Sequence, residues 1–171
     1  MIRISLACFA CCFALTYCAS DPTIGYSSTS LYAKQYKSVA VPIFKNDTMQ
    51  RTIGFMLTDA VIKEIQTRTP YNVIGEQFAD TLLTGTIKKV ELDQISQSRT
   101  TGLDNEMLIK VTINFEWLNL QSGGRIVGRE NFTSSALFIP SQPSSEPIEV
   151  GQFAVVQQLA CEIVDQMQAS W

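Results

Sequence analysis

The chain has 171 residues, 46% hydrophobic and 17% charged, enough for one domain with a substantial core, which excludes a disordered or collagen-like protein. Histidine is absent, and with it Ser-His-Asp and Cys-His catalysis, His-ligated zinc and imidazole acid-base chemistry. Thirteen Lys+Arg oppose sixteen Asp+Glu, and the basic residues never cluster beyond the pair Lys88-Lys89, so no phosphate-tracking surface is signalled and nucleic acid is not an expected partner.

Residues 1–20 read as a signal peptide. Arg3 puts one positive charge ahead of the uncharged, mostly apolar run Ile4 to Tyr17, an n-region followed by an h-region too short to span a bilayer. Cys8, Cys11, Cys12 and Cys18 crowd into this segment, which leaves Cys161 in the body of the chain and predicts no internal disulfide. Leu15-Thr16-Tyr17-Cys18 resembles a bacterial lipobox, in which Cys18 is acylated and becomes the first mature residue. Tyr17 stands where that pattern has a small residue, so ordinary cleavage at the small-residue stretch Cys18-Ala19-Ser20 is the other reading. Both readings take the protein out of the cytoplasm.

Residues 21–37, rich in Ser, Thr and Tyr without a period, read as a tether, and residues 38–171 as a single folded domain. Ser38 to Phe44 is a short β-branched strand whose Pro42 lacks an N–H, which predicts a bulge there and a place near a sheet edge. Asn46-Asp47-Thr48 offers side-chain oxygens for a helix N-cap. The following stretch carries Ile53, Met56, Leu57, Ala60, Val61 and Ile65 at helical spacing and should end before Pro70. Tyr71 to Ile74 starts a second extended segment, continued after a short turn by Thr81 to Leu92, and strand–helix–strand predicts a crossover onto one sheet.

The clearest period is Met107, Ile109, Val111, Ile113, Phe115 and Trp117, alternating with a more polar set that includes Lys110, Thr112, Asn114 and Glu116. This predicts a long half-buried strand. Ser122-Gly123-Gly124 supplies a hairpin turn, and Arg125 to Ile139 returns with Phe132, Ala136 and Phe138 on one face. After the prolines 140, 143 and 147 comes a closing helix, about Glu149 to Gln168, with Phe153, Val156, Leu159, Ala160, Ile163, Val164 and Met167 as its stripe. The order β-α-β-β-β-α predicts an α+β two-layer sandwich: a mixed, roughly four-stranded sheet with two helices packed on one face. The other face, carrying Leu108, Leu118 and Leu120 among polar residues, is either solvated or covered by a partner.

Little in the chain points to catalysis. Glu91 with Asp93 and Asp104 with Glu106 are paired carboxylates of the kind that divide acid and base roles, as a hydrolase would need, but they lie at strand ends where solvated charge is the default. Cys161 has no histidine or nearby basic residue in sequence to activate it and reads as a core residue. Gly123-Gly124 leads into a strand, so no helix N-terminus receives a phosphate there. Neither a cofactor nor a metal is expected, and the segment Gln97 to Asn105 is the most exposed candidate contact surface.

Gly25-Tyr26, Val39-Ala-Val-Pro-Ile-Phe-Lys-Asn-Asp-Thr48, Leu57 to Tyr71 with its Thr69-Pro70-Tyr71 end, and Ala79-Asp-Thr-Leu-Leu-Thr-Gly-Thr-Ile87 together resemble the LptE family, above all its planctomycete-type members, over residues 25–168. The resemblance implies an outer-membrane lipoprotein facing the periplasm. It implies a partner, the LptD β-barrel, whose lumen the protein plugs and whose assembly it assists, and a ligand, lipopolysaccharide, with no catalysis. In this sequence Cys18 precedes the Gly-aromatic pair by several positions, whereas many members have the two adjacent. Basic residues would meet the lipid phosphates through charge-assisted hydrogen bonds. Exposure and charge alone nominate Arg99, in the connecting loop, and Lys110, on the outward face of the long strand. The Val-Ala-Val-Pro-x-Phe-x-Asn strand is also similar to activators of cell-wall synthases and to curli-secretion lipoproteins, the alternative reading.

Overall fold

The computed structural model describes residues 31–97, 104–140 and 146–168. In chain order the elements are β1 (Ser38–Ala40), β2 (Lys45–Asn46), α1 (Thr52–Arg68), β3 (Asn72–Val73), a 3-10 turn (Glu76–Phe78), β4 (Thr81–Gln97), β5 (Asp104–Asn119), β6 (Arg125–Phe138) and α2 (Ile148–Gln166). They form one mixed sheet in the order β3-β1-β4-β5-β6, with β2 also on β4. β1 is parallel to both β3 and β4, and β4-β5-β6 is an antiparallel meander. Both helices cover one face, the α+β arrangement expected. The sheet has more strands than expected because the early extended segments are short pieces paired on different neighbours.

β1 does not lie at an edge. Ser38 pairs with Asn72 on one side while Val39 pairs with Thr81 on the other. Pro42 falls in a detour, residues 41–44, after which pairing on β4 resumes at Lys45↔Thr86. The missing N–H thus costs no ladder bond, because the chain is already out of the ladder there. β3 is likewise not a piece of β4: it takes the outer side of β1.

The detour buries Phe44, and Gly85 makes room for it. A Cβ on Gly85 would lie 2.5 Å from Phe44 Cε1 and 2.8 Å from the Asn114 carbonyl oxygen. The backbone N–H of Phe44 donates to Thr58 Oγ1 at 3.0 Å, and that hydroxyl donates to the Gly54 carbonyl at 2.8 Å, so a buried threonine ties the detour to α1.

α1 starts later than the sequence suggests. Asn46 Oδ1 accepts the Thr48 N–H (2.9 Å) and hydroxyl (2.7 Å), and Thr48 Oγ1 accepts the Gln50 N–H at 3.3 Å. Those side chains are consumed by a turn leaving β2, and the helix begins at Thr52 with no side-chain cap on it. Its end is as expected: Thr69 is extended ahead of Pro70, and its N–H donates to the Ile65 carbonyl at 3.0 Å. Ile53, Leu57, Ala60, Val61 and Ile65 are buried.

Ile109, Val111, Ile113, Phe115 and Trp117 of β5 are all buried beneath the helices, as their alternation predicts. β4 and β5 both run further toward their connection than hydropathy indicates, because their ends, Asp93 to Gln97 and Asp104 to Glu106, are paired but polar. Between Ile113↔Phe132 and Phe115↔Arg129 the register of β6 shifts, and Asn131 there has φ 53°, its N–H donating to Asn114 Oδ1 at 2.8 Å. The β5–β6 turn has Gly123 at φ 69°, with Asn119 Oδ1 accepting the N–H groups of Gln121 (2.8 Å) and Ser122 (3.1 Å).

α2 buries Gln152, Val155, Val156, Leu159, Ala160, Ile163 and Val164, but Phe153 is 57% exposed, against expectation. The helix meets the sheet through Gly151, where a Cβ would stand 2.7 Å from Phe138. That contact sets the rotation of the helix and turns Phe153 outward, beside Met56 on α1.

The last residues of the expected tether pack on the domain. Tyr32 bridges to Gln168 and stacks edge-on against Tyr71, while Tyr36 meets Trp117 at 5.6 Å between ring centroids. Asp80 fastens the start of β1: one carboxylate oxygen accepts the N–H groups of Lys37 (2.9 Å) and Ser38 (3.1 Å) and the Ser38 hydroxyl (3.0 Å). These bonds, the Lys37 backbone first, hold its pKa below the ordinary aspartate range.

Candidate functional site

The surface with functional potential is the sheet face that neither described helix covers. Alternation puts Thr84 and Thr86 of β4 beside Glu116 and Asn114 of β5, and Thr112 beside Thr133 of β6, where the two hydroxyls meet at 3.0 Å. Leucines sit at both ends: Leu82 pairs with Leu118, and Leu108 with Leu137, which is exposed. The result is a polar band of short side chains between two aliphatic margins, the pattern of a sheet that is half solvated or half covered.

One depression of about 480 Å³ opens on this face around Thr84, Thr86 and Asn114. Lys45, Lys88, Arg125 and Arg129 stand around it, against Glu116 and Glu130, so its rim carries a positive excess. Lys88 Nζ is 2.7 Å from Asp47, and Arg125 Nη1 is 3.2 Å from Glu116. Arg129 is not in an ion pair with a described carboxylate; its Nε donates to Gln166 Oε1 at 2.9 Å. The arrangement suits oxyanions, which accept hydrogen bonds from lysine and arginine.

Lys110 lies on this open face, as its place in the alternation predicts, with its ammonium 3.2 Å from Asp93. An anionic ligand there competes with that carboxylate. Arg99 and Cys18 lie outside the described residues, as does most of the candidate contact loop. The rim cations Lys45, Arg125 and Arg129 escape sequence reasoning because they come from two strands far apart in the chain, β2 and β6, and only the sheet brings them together.

Three of the four candidate acid-base groups have described partners, and the side chain of Asp104 lies outside the described ones. Glu91 holds Lys89 at 2.7 Å, Asp93 holds Lys110, and Glu106 accepts the Ser96 hydroxyl at 3.3 Å. Cys161 is half-buried and, contrary to the sequence expectation, has a basic neighbour: Arg68 donates through Nη1 to its carbonyl at 3.4 Å and pairs through Nη2 with Asp165. Burial raises the thiol pKa and the nearby Glu64 carboxylate adds to it, so the arginine does not make it a thiolate.

The family model described as LptE, lipopolysaccharide-assembly, matches residues 36–170. No curated protein matches the chain. Among solved structures, the PelC dodecamer from Paraburkholderia phytofirmans aligns with a TM-score of 0.54 at 16% identity, covering 83% of this chain and 96% of that one. The protein XCC0632 from Xanthomonas campestris aligns at 0.53 and 14% identity over 75% and 81% of the two chains. The protein CT253 from Chlamydia trachomatis aligns at 0.52 and 6% identity, covering 77% and 98%. At such identities these proteins share the fold.

Proposed function

The chain belongs to the LptE family of lipopolysaccharide assembly, and from that premise we propose that it is an outer-membrane lipoprotein, anchored through acylated Cys18, that seats in an LptD-like β-barrel and holds lipopolysaccharide during its insertion. The role is one of binding and assembly, not catalysis. The observation that supports it is the uncovered sheet face: polar in the middle, aliphatic at both margins, and bearing cations around a depression of about 480 Å³. A face of this kind suits a barrel lumen, where the short Thr and Asn side chains meet polar lumen walls and the leucines fill the ends.

Lys110 and Arg99 are the proposed contacts for glycolipid phosphates, with Lys88 and Arg125 close to the depression. Lys88, Lys110 and Arg125 are each held by a carboxylate at 2.7–3.2 Å, so there the ligand exchanges one charge-assisted bond for another and selectivity comes from phosphate geometry rather than bare charge.

The test is an affinity purification of the tagged full-length protein from its solubilised envelope, with mass spectrometry of the partners and of the mature N-terminus. The expected result is an LptD-like barrel together with diacylglyceryl-modified Cys18. Recovery of a cell-wall synthase or a secretion channel instead would replace the proposal with the alternative reading. In a lipid A binding assay at moderate salt, Lys110→Glu and Arg99→Glu should each weaken affinity without lowering the melting temperature; unchanged affinity removes that residue from the site.

A further inference from the structure

A second concavity adjoins the open-face depression, sharing Gly128 and Arg129 with it. About 560 Å³ in volume, it sits where the end of α2 approaches the beginning of β6, and Tyr36, Trp117, Val127, Arg129, Gln166 and Met167 line it. Its size falls in the range of ligand-binding clefts.

Three features give the cleft a chemistry. First, β6 is the last strand of the sheet, so along Ile126–Arg129 the outward row of backbone groups has no strand partner among the described residues. Second, Trp117 is 2% exposed and its indole Nε1 has no hydrogen-bond acceptor, a costly condition for a buried donor in a wall of this cleft. Third, Arg129 stands at the rim tied to Gln166 at 2.9 Å and in no ion pair with a described carboxylate, while Asp165, which also lines the cleft, is paired with Arg68. Free strand edge, apolar floor, unsatisfied donor and unpaired cation meet in one place.

We propose that this cleft receives an extended peptide segment of a protein partner, added as a strand to the edge of β6 and carrying an acidic side chain for Arg129. The peptide backbone satisfies the edge of β6, one of its carbonyl oxygens or side-chain acceptors takes the Trp117 N–H, and alternate side chains fill the floor between Tyr36, Val127 and Met167. An acidic residue replaces Gln166 as the partner of Arg129, a stronger, charge-assisted bond. A lone acyl chain would leave the edge amides and the guanidinium unanswered, which is why a peptide fits better. Gly128 and Arg129 also line the open-face depression, but the glycolipid reading is tested at Lys110 and Arg99, so the two readings fail separately.

The test selects random decapeptides displayed on phage against the full-length protein in detergent, then measures synthetic versions by fluorescence titration and by the indole N–H resonance of Trp117, assigned with Trp117→Phe. The expected peptides share an acidic position within an alternating apolar pattern, bind saturably and shift the Trp117 indole resonance. Arg129→Glu should weaken them at least tenfold while keeping the wild-type melting temperature, and a peptide with Lys in place of the acid should then recover binding. The absence of saturable peptides, or peptides indifferent to Arg129→Glu, overturns the proposal. An indole resonance that moves with lipid A micelles, or with protein concentration alone, also overturns it, in favour of a lipid or a second copy of this chain.

Discussion

Gly85→Ala is the sharpest probe of how the detour after β1 is accommodated. The added methyl would sit 2.5 Å from Phe44 Cε1 and 2.8 Å from the Asn114 carbonyl, both far inside van der Waals contact, and one of the two is backbone that cannot swing away. Overpacking of this sort costs about 1–3 kcal/mol, and alanine returns about 0.5–1 kcal/mol by restricting the unfolded chain. The net expectation is a loss of about 1–2 kcal/mol, or roughly 3–8 °C in melting temperature for a domain of this size. Urea denaturation followed by circular dichroism measures it. Phe44→Leu removes the ring atom in the way, so Gly85→Ala should cost less in that background, giving a coupling energy of about 0.5 kcal/mol or more between the two sites. A Gly85→Ala protein as stable as the wild type, or two substitutions whose costs simply add, would refute the argument that the glycine exists to admit the phenylalanine.

Asp80 should give an acid-sensitive contribution: its folded pKa is depressed, so its stabilisation is present above the ordinary aspartate value of about 4 and is lost as the pH falls below that value through the folded pKa. Asp80→Asn should be less stable at neutral pH, and its urea midpoint should converge on the wild type in acid; a difference independent of pH would speak against the clamp on Lys37 and Ser38. Tyr71 is pushed up to about 12, chiefly by burial, so its stabilisation is complete below about pH 10 and fades as the pH rises toward 12. Ultraviolet titration should find one tyrosine ionising late, and Tyr71→Phe should remove that transition. Cys161, its thiol pKa raised by burial and Glu64, should alkylate more slowly at neutral pH than a free cysteine, read by mass-spectrometric mapping of the modified residue. Labelling at the free-cysteine rate would mean that Arg68 prevails over Glu64.

Where one period dominates, the chain announces its structure. The five buried residues from Ile109 to Trp117 and the stripe from Ile53 to Ile65 are legible because a strand repeats every second residue and a helix about every third or fourth, and burial follows that repeat. Phe153 misleads for a physical reason: its hydrophobicity fits the helical stripe, but the contact of Gly151 with Phe138 rotates the helix past it. Asn46-Asp47-Thr48 misleads similarly, since the same oxygens that cap a helix also close a turn, and the exit from β2 uses them first.

The candidate site divides along the same line. Lys110 is found from sequence because its outward position is a matter of parity along one strand. The depression bounded by Lys45, Lys88, Arg125 and Arg129 is not, since Lys45, Lys88 and the two β6 arginines are distant from one another in the chain and meet only through the pairings of β2, β4, β5 and β6. The same holds for the cleft at Trp117, which needs the end of α2 set beside the edge of β6. Local periodicity, turn chemistry and the family's ordered segments therefore belong to the sequence alone: the α+β class, both amphipathic helices, the long strand and kinship with lipopolysaccharide-assembly proteins. Strand neighbours, helix rotation and the gathering of charges were decided by tertiary structure, because each depends on contacts between residues whose separation along the chain carries no periodic signal.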